Sequence, residues 1–205
     1  KGMFSSMSGQ FQWLACQTEF RETRGDELRW MVNRETIRNT ATGETVTRAL
    51  IRHPGTAVIA AFPADEHVIL MRQYRYSIDR ELWELPAGVI SGREEHNRVV
   101  PTETPEQCAQ RELLEETGYE AATLEKFAEC YATPGSNDGL MHFYAARDLR
   151  LREQRPDAGE VIHEVRAFAY AELTAMLTRG EIRDAKTQIG LFHILSRQPS
   201  GLRID

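Results

Sequence analysis

Apolar, β-branched residues crowd two short stretches, Thr56 to Phe62 and His67 to Tyr74, with Pro63-Ala64-Asp65-Glu66 between them. That pattern predicts two strands joined as a hairpin. The segments around Leu28 to Ile37 and Val46 to His53, split by Asn39-Thr40-Ala41-Thr42-Gly43, predict another hairpin upstream. Further strands are expected over Leu124 to Ala132, Leu140 to Ala146 and Ile162 to Tyr170. Helical signals close the chain at Ala171 to Thr178 and again from Asp184, a capping residue, to about Arg197. Strands therefore surround one central helix and helices follow, which predicts an α+β or α/β/α sandwich.

The central helix is the best delimited element. Thr104 supplies a capping hydroxyl, Pro105 sits where no amide donor is needed, and Gln107 completes a capping box, while Gly118 is the matching stop. Between them Glu112, Glu115 and Glu116 fall within an arc of about 100°, because positions three and four apart share a helix face. Like charges so placed cost about 0.2–0.5 kcal/mol per pair, and the last helical turn favours cations instead. A solvated acidic helix end is the plain reading. The setting points elsewhere, with Glu103 before the helix, Arg111 beside the acids and Leu85-Pro86-Ala87-Gly88 upstream. Oxygen ligands of this kind suit a hard ion, Mg²⁺ or Mn²⁺.

The stretch from Glu103 through Arg111-Glu112-Leu113-Leu114-Glu115-Glu116-Thr117-Gly118-Tyr119 resembles the signature of the Nudix hydrolases, G-x5-E-x7-R-E-U-x-E-E-x-G-U, where U is a bulky apolar residue. The glycine is displaced. Gly88, in the expected Pro-Ala-Gly context, stands fifteen residues before Glu103 where the signature has six, which leaves nine residues to an insertion between Val89 and Thr102. Glu94 stands six after Gly88, so Glu94 and Glu103 compete for the first acidic position; the intact spacing to the helix favours Glu103. The resemblance implies the Nudix fold, a mixed β-sheet sandwiched between helices. It also implies an N-terminal β extension over residues 1–55 that dimerises, as in the ADP-ribose pyrophosphatase branch, followed by a catalytic domain over residues 56–205.

Composition narrows the setting. The chain has 205 residues, 41% of them hydrophobic, and no apolar run near the roughly 20 residues needed to span a bilayer. No leader pattern is visible at the start, so a cytoplasmic protein with no membrane partner is expected. A net charge of −6 argues against long nucleic acid as a partner. Cys16, Cys108 and Cys130 are widely spaced and suggest neither disulfides nor zinc, and His53, His142 and His163 lack ligand spacing.

Substrate must be read outside the signature. His53-Pro54-Gly55, Arg72-Gln73-Tyr74-Arg75, Glu81 to Gly88, Pro134 at fifteen residues after Tyr119, and Gly180-Glu181-Ile182 with Asp184-Ala185-Lys186-Thr187 all resemble the ADP-ribose branch. The resemblance implies substrate contacts from Arg72, Arg75, Trp83, Glu84 and Pro134; the arginines suit a diphosphate through paired hydrogen bonds. Trp83 and Tyr74 read equally as core aromatics. An acid often found in that branch at the position of Gly139 is absent here, which keeps GDP-mannose or another nucleotide sugar as the competing substrate. The implied metal ligands are Glu112, Glu115, Glu116 and the backbone carbonyl of Ala87, with Arg111 orienting the carboxylates. The implied general base lies in a loop before a late strand, Glu160 first and Glu164 in reserve. The rival class is a Nudix module that senses nucleotide sugars without cleaving them.

Overall fold

The computed structural model describes residues 9–152 and 161–197. The chain divides into two compact units: Lys1–Gly55 with Val89–Glu103 and Tyr131–Leu140, and Thr56–Gly88 with Thr104–Cys130 and Met141–Asp205.

The first unit is built on a sheet. β1 (Phe11–Arg24) runs antiparallel to β2 (Glu27–Asn39), with bulges near Leu14, Glu19 and Thr23, and β3 (Thr45–Arg52) pairs with β2 from Met31↔Arg52 to Arg38↔Thr45. The pairing of β2 with β3 is the upstream hairpin that the pattern predicts. The inserted residues form a second hairpin, β8 (Gly92–Glu95) and β9 (Arg98–Pro101), which extends this sheet through Leu28↔Gly92. Its two-residue turn is His96-Asn97, with φ of 50° and 60°. Positive φ at both central positions is the geometry whose twist matches paired strands. Glu94 of this hairpin is held by Arg21 in a two-pronged ion pair, and the Asn97 carbonyl accepts from the Asn33 side chain at 2.8 Å. Glu103 instead turns to its own loop, where its carboxylate accepts the Ser91 N–H at 2.9 Å.

Two polar residues, Asn33 and Glu35, occupy the buried face of β2. Buried charge needs a partner, and Arg52 supplies it through Nε and Nη2, the latter at 2.6 Å from Glu35. Arg52 also donates from Nη1 to Asp138 at 2.8 Å, which Arg98 of the insertion reaches at 3.0 Å. Trp13 lies under both guanidinium groups.

The second unit holds a mixed sheet in the order β10 (Tyr119–Tyr131), β11 (Leu140–Leu151), β4 (Thr56–Ala61), β7 (Ala87–Val89), and a three-stranded sheet of β12 (Ile162–Ala169), β5 (His67–Arg75) and β6 (Arg80–Glu84). The expected β4–β5 hairpin is therefore wrong. β4 runs parallel to β11, and β5 takes antiparallel partners on both sides, so Pro63 to Glu66 carries the chain between sheets. The physical reason is burial: all of β4 beyond Thr56 is buried, as in a strand covered on both faces, and such a run does not disclose its partner. Helices α1 (Pro105–Thr117) and α3 (Ala185–Leu195) pack on β4, while α2 (Tyr170–Thr178) packs on β12 and α3. Val58, Leu70, Leu85, Phe143, Phe168 and Leu191 form the centre of one apolar cluster. Among the described residues no helix is long and apolar enough to cross a membrane.

Candidate functional site

Helix α1 begins and ends as its sequence dictates. Thr104 Oγ1 accepts the Gln107 N–H at 3.1 Å, Gln107 Oε1 accepts the Thr104 N–H at 2.8 Å, and Gly118, at φ 75°, ends the helix. The buried stripe of α1 comprises Cys108, Ala109, Glu112, Leu113, Glu116 and Thr117. Two of those six are acids, each 1% exposed, where the pattern of an amphipathic helix calls for apolar side chains.

What faces these acids is the Ala87-Gly88 backbone. The Ala87 N–H donates to Glu116 Oε2 at 2.8 Å, and a Cβ built on Gly88 would fall 1.9 Å from both Cδ and Oε1 of Glu112. Only a glycine leaves room for the Glu112 carboxylate. Arg111 donates to Glu112 Oε1 at 2.6 Å and to Glu115 Oε2 at 3.3 Å, while Cys108 Sγ lies 3.6 Å from the Gly88 carbonyl. Glu115 is set apart from the other two, its side chain 22% exposed.

The three acids do not close into a cage. Among the described residues no group of three or more His, Cys, Asp or Glu side chains is spaced to hold an ion. An arc of 100° spans the edge of the buried stripe, so Glu112 and Glu116 are buried and Glu115 stays partly exposed, with Arg111 bonded to Glu112 and Glu115 alike. Two buried carboxylates are nonetheless a donor set of the kind a hard divalent ion takes, since such an ion keeps several waters and is typically held by one or two carboxylates plus substrate phosphates.

Four residues upstream, Glu84 is buried and bound by two cations. Arg75 makes a two-pronged bond to it, at 2.8 and 2.7 Å, and Lys186 of α3 bonds to Glu84 Oε2. Burial alone would raise the Glu84 carboxyl, but hydrogen bonds and charge from Arg75 and Lys186 hold it below its ordinary value. The guanidinium of Arg75 is pushed up, first by its bond to Glu84 and with help from the charges of Glu116 and Asp184. Arg75 and Glu84 thus bind each other, in the electrostatic neighbourhood of α1.

Arg72 and Trp83 belong to a separate group on the three-stranded sheet. Arg72 pairs with Glu81 at 3.1 Å and Glu164 at 3.4 Å, and lies 5.9 Å from the Trp83 ring centroid. Trp83 packs edge-on against Phe168 at 4.8 Å and contributes to the apolar core. Glu164 is therefore tied to Arg72 rather than to α1, and Glu160 lies outside the described residues.

Pro134 belongs to the first unit. There it lines a cavity of about 320 Å³ with Arg52, Tyr131, Ser136, Asn137 and Asp138. Asp138 accepts from Arg52, from Arg98 and from the His53 N–H at 2.9 Å. Next to it, a Cβ on Gly139 would fall 2.7 Å from His53 Nδ1, so the ring of His53 fills the space an acidic side chain would need. Burial drives the His53 ring down to a pKa of about 4.

Sequence reasoning missed Lys186 and Thr187 as neighbours of Glu84 and Leu85, more than a hundred residues away in the chain. The Asp184-x-x-Thr187 cap marked the helix start there but gave no sign of what the helix meets.

Comparison with known proteins fits this geometry. The model of the NUDIX domain matches residues 51–188. An ADP-ribose pyrophosphatase of Bacillus subtilis (strain 168) is 30% identical over 153 residues, 74% of this chain and 78% of its own length. A GDP-mannose pyrophosphatase of Citrobacter koseri is 31% identical over 155 residues, covering 71% and 75% respectively. Among solved structures, an ADP compounds hydrolase superposes with a TM-score of 0.69 at 21% identity, covering 90% of this chain and 92% of its own, a likeness of fold.

Proposed function

The chain belongs to the Nudix family as a pyrophosphohydrolase similar to ADP-ribose pyrophosphatases, and from that premise we propose that it cleaves the diphosphate bond of a nucleoside diphosphate sugar, ADP-ribose first, to AMP and ribose 5-phosphate. The observation that carries this is the pair of buried carboxylates, Glu112 and Glu116, set against the Ala87-Gly88 backbone. Such a pair is costly to bury without compensation. Mg²⁺ or Mn²⁺ would be held by Glu112, Glu116 and the Ala87 carbonyl, with Glu115 assisting, and when bound supplies activation of water and neutralisation of charge on the leaving phosphate.

The chain's own residues do the rest. Arg111 bonds both Glu112 and Glu115 and so fixes their orientation. Arg75 and Arg72, each about two-fifths exposed, offer cationic surface for diphosphate oxygens, although each must share itself with an acid, Glu84 for Arg75 and Glu81 for Arg72. Glu164 would have to release Arg72 before accepting a proton from water, so Glu160 is the preferred general base. Turnover lost in Glu164→Gln and retained in Glu160→Gln would reverse that order.

GDP-mannose remains the second reading. Asp138 is committed to two arginines, and Gly139 has no room for an acid, so the loop bearing Pro134 departs from the ADP-ribose pattern. A panel of ADP-ribose, GDP-mannose and diadenosine polyphosphates with Mg²⁺, read by product chromatography, decides between them. Binding without product from any of them would make the protein a sensor. A cytoplasmic homodimer belongs to the same proposal; exposed Phe11, Leu14 and Phe20 on β1 support an interface there, and light scattering in solution tests it.

A further inference from the structure

The Asp184-Ala185-Lys186-Thr187 segment is left without a role by the chemistry above, yet it meets the stretch of chain that leads into Ala87 and Gly88, neighbours of the acids of α1. Thr187 is fully buried. Its Oγ1 accepts the Leu85 N–H at 2.8 Å and donates to Asp184 Oδ2 at 2.6 Å, and its own N–H donates to the same oxygen at 2.9 Å. Lys186 bridges Asp184, at 3.0 Å, and Glu84. One turn further along α3, a Cβ on Gly190 would fall 2.6 Å from Leu85 Cδ1, so the helix lies directly against this strand.

Glu84 and Leu85 are thus held from α3, and two residues later Ala87 and Gly88 meet Glu116 and Glu112. Two residues of extended chain span only about 7 Å, with Pro86 fixed in φ between them. A shift at Leu85 is carried to Ala87 with little loss. We propose that the first turn of α3 is the positioning element of the acidic site: Thr187, oriented by Asp184, and Lys186 set the height of the Ala87-Gly88 backbone over the two carboxylates. Neither residue acts on the substrate directly; Thr187 acts through the Leu85 backbone and Lys186 through the Glu84 side chain. The inference rests on the reading that Glu112, Glu116 and Ala87 hold a divalent ion.

The test compares Thr187→Val, which deletes the hydroxyl at nearly constant volume, with Thr187→Ser, which keeps it. Mn²⁺ binding is measured on the full chain by electron paramagnetic resonance, without substrate, beside thermal melts and the kcat and KM for ADP-ribose. Groups that orient metal ligands typically govern affinity by 10–100-fold. Thr187→Val is expected to weaken Mn²⁺ binding by about that factor and lower kcat more than it raises KM, with Thr187→Ser close to wild type. Lys186→Met, which cuts the tie to Glu84, should act in the same direction and serves if Thr187→Val does not fold. Met176→Ala, on the buried face of α2, controls for general destabilisation: it should lower the melting temperature and leave Mn²⁺ affinity alone. Unchanged Mn²⁺ binding in folded Thr187→Val or Lys186→Met, or equal weakening in Met176→Ala, overturns the positioning role. Absence of Mn²⁺ uptake by the wild type would instead refute the metal reading itself.

Discussion

Gly88→Ala isolates the chemistry from the fold. The added methyl would lie 1.9 Å from the Glu112 carboxylate, whereas carbon atoms in contact settle at about 3.5–4.0 Å, so one of the two must move by roughly 1.6–2.1 Å. Backbone strain does not enter, because Gly88 is not among the glycines with positive φ. The movable partner is Glu112, whose carboxylate ends a flexible side chain and would have to shift against its bond to Arg111. Misplacement by about 1 Å can cost on the order of 100-fold in rate, so kcat should fall at least that far. Overpacking a buried contact costs about 1–3 kcal/mol, which for a domain of this size lowers the melting temperature by roughly 2–12 °C. Product chromatography with ADP-ribose and a thermal melt read the two effects. Both substitutions act through one carboxylate, so Gly88→Ala with Glu112→Gln should be no slower than Glu112→Gln alone. Wild-type turnover in a folded Gly88→Ala, or additive losses in the double variant, would refute the reasoning.

Three further outcomes follow from the geometry. His53 is neutral in the fold with a pKa of about 4 against 6.5 when exposed, so stability is complete above pH 6.5 and is lost as pH falls toward 4, by at most roughly 3 kcal/mol; urea midpoints at pH 7 and 5 should converge in His53→Asn. The Glu84 carboxyl is depressed, so its contribution is present above its ordinary pKa near 4.5 and is lost as pH falls through the lower folded value; Glu84→Gln should cost about 3–5 kcal/mol at pH 7, and its gap from wild type should narrow in acid. Thr104→Ala removes one half of the capping box and should cost about 1 kcal/mol in denaturant unfolding while leaving kcat unchanged.

Local signals were the legible ones. The caps of α1 and α3 and the pairing of β2 with β3 follow from side chains within a few residues of each other, and the structure has them all. Partner choice was not legible: β4 is buried nearly throughout, and nothing in Thr56 to Ala61 says that β11, some eighty residues later, lies beside it in parallel. The β8–β9 hairpin was hidden for a different reason. Arg93, Glu94 and Glu95 show no apolar alternation, and the turn uses His96-Asn97 without a glycine, so the insertion read as loop. At the site, spacing placed three acids on one helix face but could not divide buried Glu112 and Glu116 from partly exposed Glu115, because the division depends on what packs against the helix.

The five residues from Glu84 to Gly88 join these two kinds of information. At one end, Glu84 is satisfied within the protein by Arg75 and Lys186, so its burial is explained by structure alone. At the other, Gly88 exists to make room for a carboxylate, and nothing in packing a core requires an acid there, since buried charge can often be replaced by apolar volume at no loss of stability. Substitutions along the segment should therefore grade in character: Glu84→Gln lowers the melting temperature and, by cutting the tie to Lys186, Mn²⁺ affinity with it, whereas Gly88→Ala chiefly lowers kcat. A melting loss at Gly88 that exceeded the one at Glu84, with turnover intact, would mean that the buried acids of α1 serve the fold rather than catalysis.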